Sequence, residues 1–192
     1  MKNLILASKS VRRQKILSIL GINFITIEPE DVESIEICDP YEMVKEYARL
    51  KAVSIKGKVS DAIILSADTL IVCDKLKLGK PKDMDEAYWM IENLSGRVHK
   101  VVTGVYIEDF IEDKSVSDFE VTKVYFRDIS TQEIDSFLKK EDVLDKAGAY
   151  AIQGLAATFV RRIEGCYFNV VGLPLFKVAS ILKKFGFSPF NY

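Results

Sequence analysis

The chain opens on a short apolar run, Leu4-Ile5-Leu6-Ala7, which gives way to serines and then to apolar positions at Val11, Ile16, Leu17, Ile19 and Leu20. That order predicts a strand, a turn and an amphipathic helix that stops at Gly21. Phe24–Ile27 alternates as a second strand, an acidic loop follows through Glu28–Asp39, and Pro40 opens a helix from Tyr41 to about Ile55 that Gly57 breaks. The apolar run Ala62–Ala67 suits a buried strand and resumes at Ile71–Cys73, so the polar pair Asp68-Thr69 is expected at a strand end. Lys80-Pro81 introduces a helix over Met84–Leu94, closed by Ser95-Gly96, and Val98–Ile107 reads as a strand with Val116–Phe126 as its antiparallel partner.

The last third is harder to divide. Thr131 and Glu133 stand one residue short of capping-box spacing, and Thr131 is read as the cap of a helix through Leu138 with Ile134 and Phe137 inward. Thr158–Ile163 and Asn169–Val171 read as strands, and Pro174–Phe185 as a final helix with Leu175, Val178, Ile181 and Leu182 on one face. Strands alternating with helices around a strand-rich middle predict an α/β fold, a mixed twisted sheet flanked by helices. Active groups at strand ends and in loops would then face a cleft.

Composition narrows the class without naming a function. The 192 residues, 48% hydrophobic and 29% charged, suffice for one large α/β domain or two closely packed lobes. Lys and Arg number 27 against 28 Asp and Glu, which gives no global attraction for nucleic acid or an anionic membrane, so any phosphate binding must be local. Cys38, Cys73 and Cys166 form no CxxC pair and fit a reducing compartment. No apolar run approaches the roughly 20 residues that span a bilayer, and the start carries no signal-peptide pattern. A cytoplasmic location is the expectation.

Four stretches carry candidate chemistry. In Ala7-Ser8-Lys9-Ser10-Val11-Arg12-Arg13 a strand delivers the chain into a helix N-terminus, whose free amides and dipole favour an anion, with Arg12 and Arg13 as forked donors. A plain serine cap with solvated basic residues is the alternative. Asp68-Thr69, with Glu33 of the acidic loop, offers carboxylates for Mg²⁺ bound jointly with substrate phosphates, against turn and surface roles for each alone. Gly79-Lys80-Pro81 is a bend able to present Lys80 to a phosphate, although it is not a Walker A loop. His99, the lone histidine, reads as structural and excludes a multi-histidine zinc site. Asp145–Gly154 is a polar, glycine-punctuated run that reads as a functional loop or an ordinary surface connection.

Taken in order, these stretches resemble the signature of the Maf family over nearly the whole chain. The family's Ala-Ser-x-Ser-Pro-Arg-Arg is matched by Ala7–Arg13, with Val11 in place of proline. The resemblance extends through Glu33, Lys51, Ala67-Asp68-Thr69, Gly79-Lys80-Pro81, Leu94-Ser95-Gly96 with His99, Thr103-Gly104, Asp145–Gly154 and Asn169–Pro174. Asp142-Val143 departs from the usual Glu-Pro, so no role is given to Asp142.

The resemblance implies a single Maf-like domain over 1–192, an inosine triphosphatase-like fold with two closely packed lobes around a cleft, and hydrolysis of a nucleoside triphosphate to monophosphate and pyrophosphate. It implies a divalent cation, Mg²⁺ or Mn²⁺, held by Glu33 and Asp68, and Asp68 as general base. Ser8, Arg13, Lys51 and Lys80 match positions that bind the triphosphate, and Arg12, Thr69 and Gln153 match positions that choose the base in a subfamily acting on dTTP and UTP. A homodimer is a further implication. A guanine-directed enzyme acting on 7-methylguanosine triphosphate and a nucleotide-binding regulator of cell division are the alternatives, the first disfavoured by the Asp-Lys-Ala-Gly-x-Tyr-x-Ile-Gln-Gly form of 145–154.

Overall fold

The computed structural model describes residues 2–30 and 37–190. Seven strands form one sheet: β1 (Asn3–Ala7), β2 (Phe24–Ile27), β3 (Ala62–Cys73), β4 (Leu76–Leu78), β5 (Val98–Asp109), β6 (Lys114–Phe126) and β7 (Val160–Glu164). Their order is β2-β1-β3-β5-β6-β7, with β4 paired to β3. The helices are α1 (Val11–Ser18), α2 (Pro40–Ser54), α3 (Met84–Leu94), α4 (Thr131–Leu138), α5 (Tyr167–Val171) and α6 (Leu175–Leu182). The expected mixed sheet flanked by helices is therefore present.

The chain divides into two compact units. The first comprises Met1–Asp68, Thr103–Glu120 and Gly172–Tyr192, the second Thr69–Val102 and Val121–Val171. In the first, β1 pairs in parallel with β2, Leu4 opposite Phe24, and with β3, Asn3 opposite Ala62. Parallel strands covered on both faces need apolar residues at every position, and Leu4 through Ala7 and Ala62 through Leu65 are all buried. Ile5, Ala7, Ala62 and Ile64 pack with Ala48 and Ala52 of α2, whose small side chains let the helix lie close to the sheet.

The second unit has its own core, in which Ile71, Met90, Ile91, Phe126, Phe137 and Phe159 meet. Here β4 pairs antiparallel with the end of β3, Ile71 opposite Leu78, and β7 pairs antiparallel with β6. The helix α3 presents Ala87, Met90, Ile91 and Leu94 to this core, at the spacing of one helical face.

Four expectations are corrected. Asp68-Thr69 does not end a strand, because β3 runs unbroken from Ala62 to Cys73. Asn169–Val171 belongs to the short helix α5 rather than a strand, since Asn169 turns inward to give its amide to the Val101 carbonyl and the Thr122 hydroxyl, each at 3.0 Å. The strand expected from Thr158 begins at Val160, after a 3₁₀ turn over Leu155–Phe159. Ser130, not Thr131, caps α4 and completes a capping box with Glu133, and the Glu133 carboxylate also receives Arg127 at 2.7 Å. The strand Leu76–Leu78 was not foreseen.

Candidate active site

The first unit gathers a carboxylate and its cations through the packing of α2 on β3. Ser66 and Asp68 are two apart on the strand and so share a face. The buried Ser66 hydroxyl donates to the Ala48 carbonyl at 2.6 Å, tying strand to helix. One helical turn beyond Ala48, the Lys51 ammonium meets the Asp68 carboxylate in an ion pair. The close approach has a further condition at Gly104, where a Cβ would lie 2.3 Å from the Val44 carbonyl oxygen, so no larger residue fits under that helix. Pairing of β3 with β1 ends at Ser66 and pairing with β4 begins at Ile71, which leaves Asp68 and Thr69 opposite neither. The position is thus the end of a pairing, not the end of a strand.

The turn between β1 and α1 is built from its two serines. The Ser8 amide donates to the Leu6 and Ile27 carbonyls, both at 3.1 Å, and the buried Ser8 Oγ accepts the Ser10 amide at 3.1 Å. Ser10 is the N-cap and accepts the Arg13 amide. A helix start presents backbone N–H groups and a positive dipole end, the features an anion would use. Arg13 Nε donates to the Gly172 carbonyl at 2.8 Å, which ties the opening of α1 to the loop before α6. Burial pushes the Arg13 pKa down, the charge of Asp68 opposes that, and Arg12 reinforces it. Arg13 therefore feels the same carboxylate that Lys51 holds.

In the second unit the Lys80 bend and the glycine-punctuated loop are joined. The Gly148 amide donates to the Gly79 carbonyl at 2.9 Å. Gly148 has φ +65°, the left-handed backbone that favours glycine, and its missing side chain leaves room for the Ile71 Cδ1 methyl. Tyr150 anchors the loop: its hydroxyl lies 2.7 Å from His99 Nε2, and both rings pack on Phe126. Desolvation lowers the His99 pKa to about 3 and raises that of Tyr150, so the pair is neutral. This matches the structural reading of His99. Lys80 and Gln153 are exposed, and Glu141 receives the Leu155 amide at 2.8 Å just beyond Gln153.

Among the predicted residues, then, Ser8, Arg12, Arg13, Lys51 and Asp68 belong to the first unit, and Thr69, Lys80 and Gln153 to the second. Glu33 lies outside the described residues. Sequence reasoning missed Ser66, Glu141 and the Gly172 carbonyl. Only Ser66 left a signal, as the one hydroxyl in an apolar run. Among the described residues no group of three or more His, Cys, Asp or Glu side chains is placed to hold a metal ion. A hard divalent cation that keeps its waters and binds substrate phosphates asks for only one or two carboxylates, and the half-buried Asp68 fits that demand. No helix among the described residues is long and apolar enough to cross a membrane.

Three similar proteins each carry the name dTTP/UTP pyrophosphatase. One from Alkaliphilus oremlandii is 46% identical over 186 residues, covering 95% of this chain and 96% of the relative. One from Carboxydothermus hydrogenoformans is 43% identical, covering 95% and 98%, and one from Thermoanaerobacter sp. strain X514 is 47% identical, covering 94% and 95%. The family model described as Maf-like protein matches residues 3–185, and with the order of motifs from Ala7 to Pro174 and relatives aligned from end to end, the chain belongs to the Maf family.

Proposed function

We propose that this chain is a metal-dependent nucleoside triphosphate pyrophosphatase that cuts dTTP and UTP, and modified pyrimidine nucleotides, between the α and β phosphates. The observation that carries the reaction type is the Asp68 carboxylate held by Lys51 and felt by Arg13, one base among cations suited to phosphate oxygens. The substrate class rests on the name shared by the similar proteins.

In this reading Asp68 accepts a proton from the water that attacks the α phosphorus. Ser8, Arg13, Lys51 and Lys80 hold the triphosphate and neutralise charge on the departing pyrophosphate. Lys51 exchanges its carboxylate partner for a phosphate oxygen on binding, which releases Asp68 to take the proton. Arg12, Thr69 and Gln153 read the base, since a glutamine amide can accept from the N3–H shared by uracil and thymine while donating to a neighbouring carbonyl. A Mg²⁺ or Mn²⁺ ion bound by Asp68 and Glu33 would supply charge neutralisation at the phosphates.

The test is a nucleotide panel, including 7-methylguanosine triphosphate, given to the purified protein with Mg²⁺ or Mn²⁺. Pyrophosphate is expected as the first product from dTTP and UTP, and Asp68→Asn should nearly abolish its release. Orthophosphate as the first product would refute the assigned bond cleavage, and preference for the methylated guanine nucleotide would refute the base reading. A cytoplasmic homodimer completes the proposal, checked by sedimentation at twice 21.7 kDa.

A further inference from the structure

The second unit carries a basic groove that the reaction does not use. About 480 Å³ in volume, it is lined by Arg97 and Val98 at the start of β5, Tyr125 at the end of β6, and Arg161 and Arg162 on β7. The Gly96 amide donates to the Arg127 carbonyl and the Phe126 amide to the Arg97 carbonyl, each at 3.0 Å, so the floor is fixed backbone.

The two consecutive arginines reach one groove because of a bulge. Tyr125 pairs with Arg162 but Phe126 pairs with Val160, so Arg161 is an extra residue with no ladder partner. In a regular strand, neighbours point to opposite faces; a bulge re-aims one of them, and both arginines are exposed and line the groove. Arg162 lies over the Tyr125 ring at 4.2 Å and pairs with Glu164 at 2.7 Å. Glu164 also takes Lys123 at 3.7 Å and a hydrogen bond from Tyr125, so its charge is shared among three partners. Arg97 pairs with Asp74 at 3.3 Å, both side chains more than half exposed. Arg161 has no hydrogen bond or ion pair among the described residues.

Charges on the edge strand β7 are also a way to keep other chains from pairing with it. That reason covers Arg161 and Arg162. It does not cover Arg97, which lies just ahead of β5 and lines the same concavity. Three arginines lining a pocket of this size, two of them paired with exposed carboxylates at Asp74 and Glu164 that a stronger anion can displace, match a small, multiply charged anion with several oxygens. A nucleic acid would need a longer basic track, and Asp74 and Glu164 interrupt this one at its rim.

We infer that the Arg97–Arg161–Arg162 groove binds a small polyphosphate anion, as free pyrophosphate or as the phosphate tail of a nucleotide. The inference does not depend on the assignment of Asp68, because none of its residues serves the proposed reaction.

The experiment is titration of inorganic pyrophosphate, a non-hydrolysable UTP analogue and a short oligodeoxythymidylate into the full chain in EDTA. It is followed by amide NMR at Gly96, Val98 and Phe126 and by calorimetry. Pyrophosphate is expected to shift those amides, and Arg161→Gln to weaken that binding about tenfold or more, with weaker binding at high salt. Equal affinity for pyrophosphate and the analogue would assign the groove to the free anion; tighter binding of the analogue at the same amides would assign it to a nucleotide tail. Unmoved amides in the wild-type chain would overturn the inference whatever the variant does. So would tighter binding of the oligonucleotide at matched phosphate concentration.

Discussion

Each unit of the molecule is organised around one polar pair, and the two pairs are opposites. Lys51 and Asp68 are charged and remain 24% and 22% exposed, close to water and to any ligand that arrives. His99 and Tyr150 are 1% and 6% exposed and neutral, walled by Phe126 and the core of the second unit. A charge left near solvent costs little to keep and can change partners, whereas a buried pair is fixed by what its desolvation would cost if broken. The first pair is therefore suited to chemistry and the second to holding a loop. Removing the charge of Asp68 should separate these roles most sharply. Asp68→Asn is expected to lower turnover about 10²–10⁴-fold, the usual contribution of a general base. Thermal unfolding should show a loss on the order of 1 kcal/mol at most, because such pairs add little stability. Large destabilisation with turnover intact would reverse the comparison.

The next effect tests whether the charged pair depends on the approach of α2 to the sheet. In Gly104→Ala the new methyl would meet backbone atoms of Val44 and Lys45, not a flexible side chain. Destabilisation of about 3 kcal/mol or more is expected, with a fall in turnover as α2 shifts and carries Lys51 away from Asp68. Turnover that stayed whole in a folded but less stable variant would show the pair to be incidental.

The buried pair makes its own prediction through pH. The His99 pKa falls from 6.5 to about 3 on folding. Below pH 6.5 the unfolded chain takes up a proton that the native ring refuses. Stability is thus complete above that value and lost as pH falls toward 3, by about 1.4 kcal/mol per unit. Carboxylates with depressed pKa values, such as Glu133 at about 2 against 4.5 unfolded, lose their contribution only at lower pH. Urea unfolding between pH 6.5 and 5 should therefore isolate the histidine, and the slope should vanish in His99→Gln.

Much of this was legible because the segments obey a single period. The punctuation of Lys80-Pro81 before it and Ser95-Gly96 after it placed a helix at about Met84 to Leu94, where α3 lies, and Phe24–Ile27 became β2 with the same bounds. What failed depended on partners far away in sequence. The polar pair Asp68-Thr69 looked like a terminus because the strand's change of partner, from β1 to β4, leaves no mark in its own residues. Asn169–Val171 carries the β-branched residues of a strand, but the amide of Asn169 finds its acceptors on Val101 and Thr122 in the interior, and tertiary context overrides propensity. The cap of α4 was misplaced by one because Ser130 and Thr131 are both competent, and only Glu133, three residues beyond Ser130, decides between them. Similarly, Asp68 stood out as a carboxylate after an apolar run and Lys51 was chosen by resemblance alone, and nothing in their separation announced an ion pair. That contact is a product of Ala48, Ser66 and Gly104 setting how closely helix and strand approach.

The smallest expected effect bears on the hydroxyl that ties the loop to His99. Tyr150→Phe keeps the ring, and with it the contacts to Phe126, while removing the only oxygen within hydrogen-bond reach of His99 Nε2 among the described residues. His99 Nδ1 already lacks a partner there, so the variant leaves the ring buried with neither nitrogen bonded. A loss of about 1–2 kcal/mol follows from an unmet buried polar group, read as a melting temperature lower by a few degrees in a chain of this size. Tyr150 stands three residues before Gln153, so any looseness in the loop should raise KM for UTP more than it lowers kcat, because the glutamine is assigned to binding the base and not to the chemical step. An unchanged melting temperature with a large drop in kcat would mean that the neutral pair belongs with the chemistry after all, and the division between the two units drawn from burial and charge would have to be redrawn.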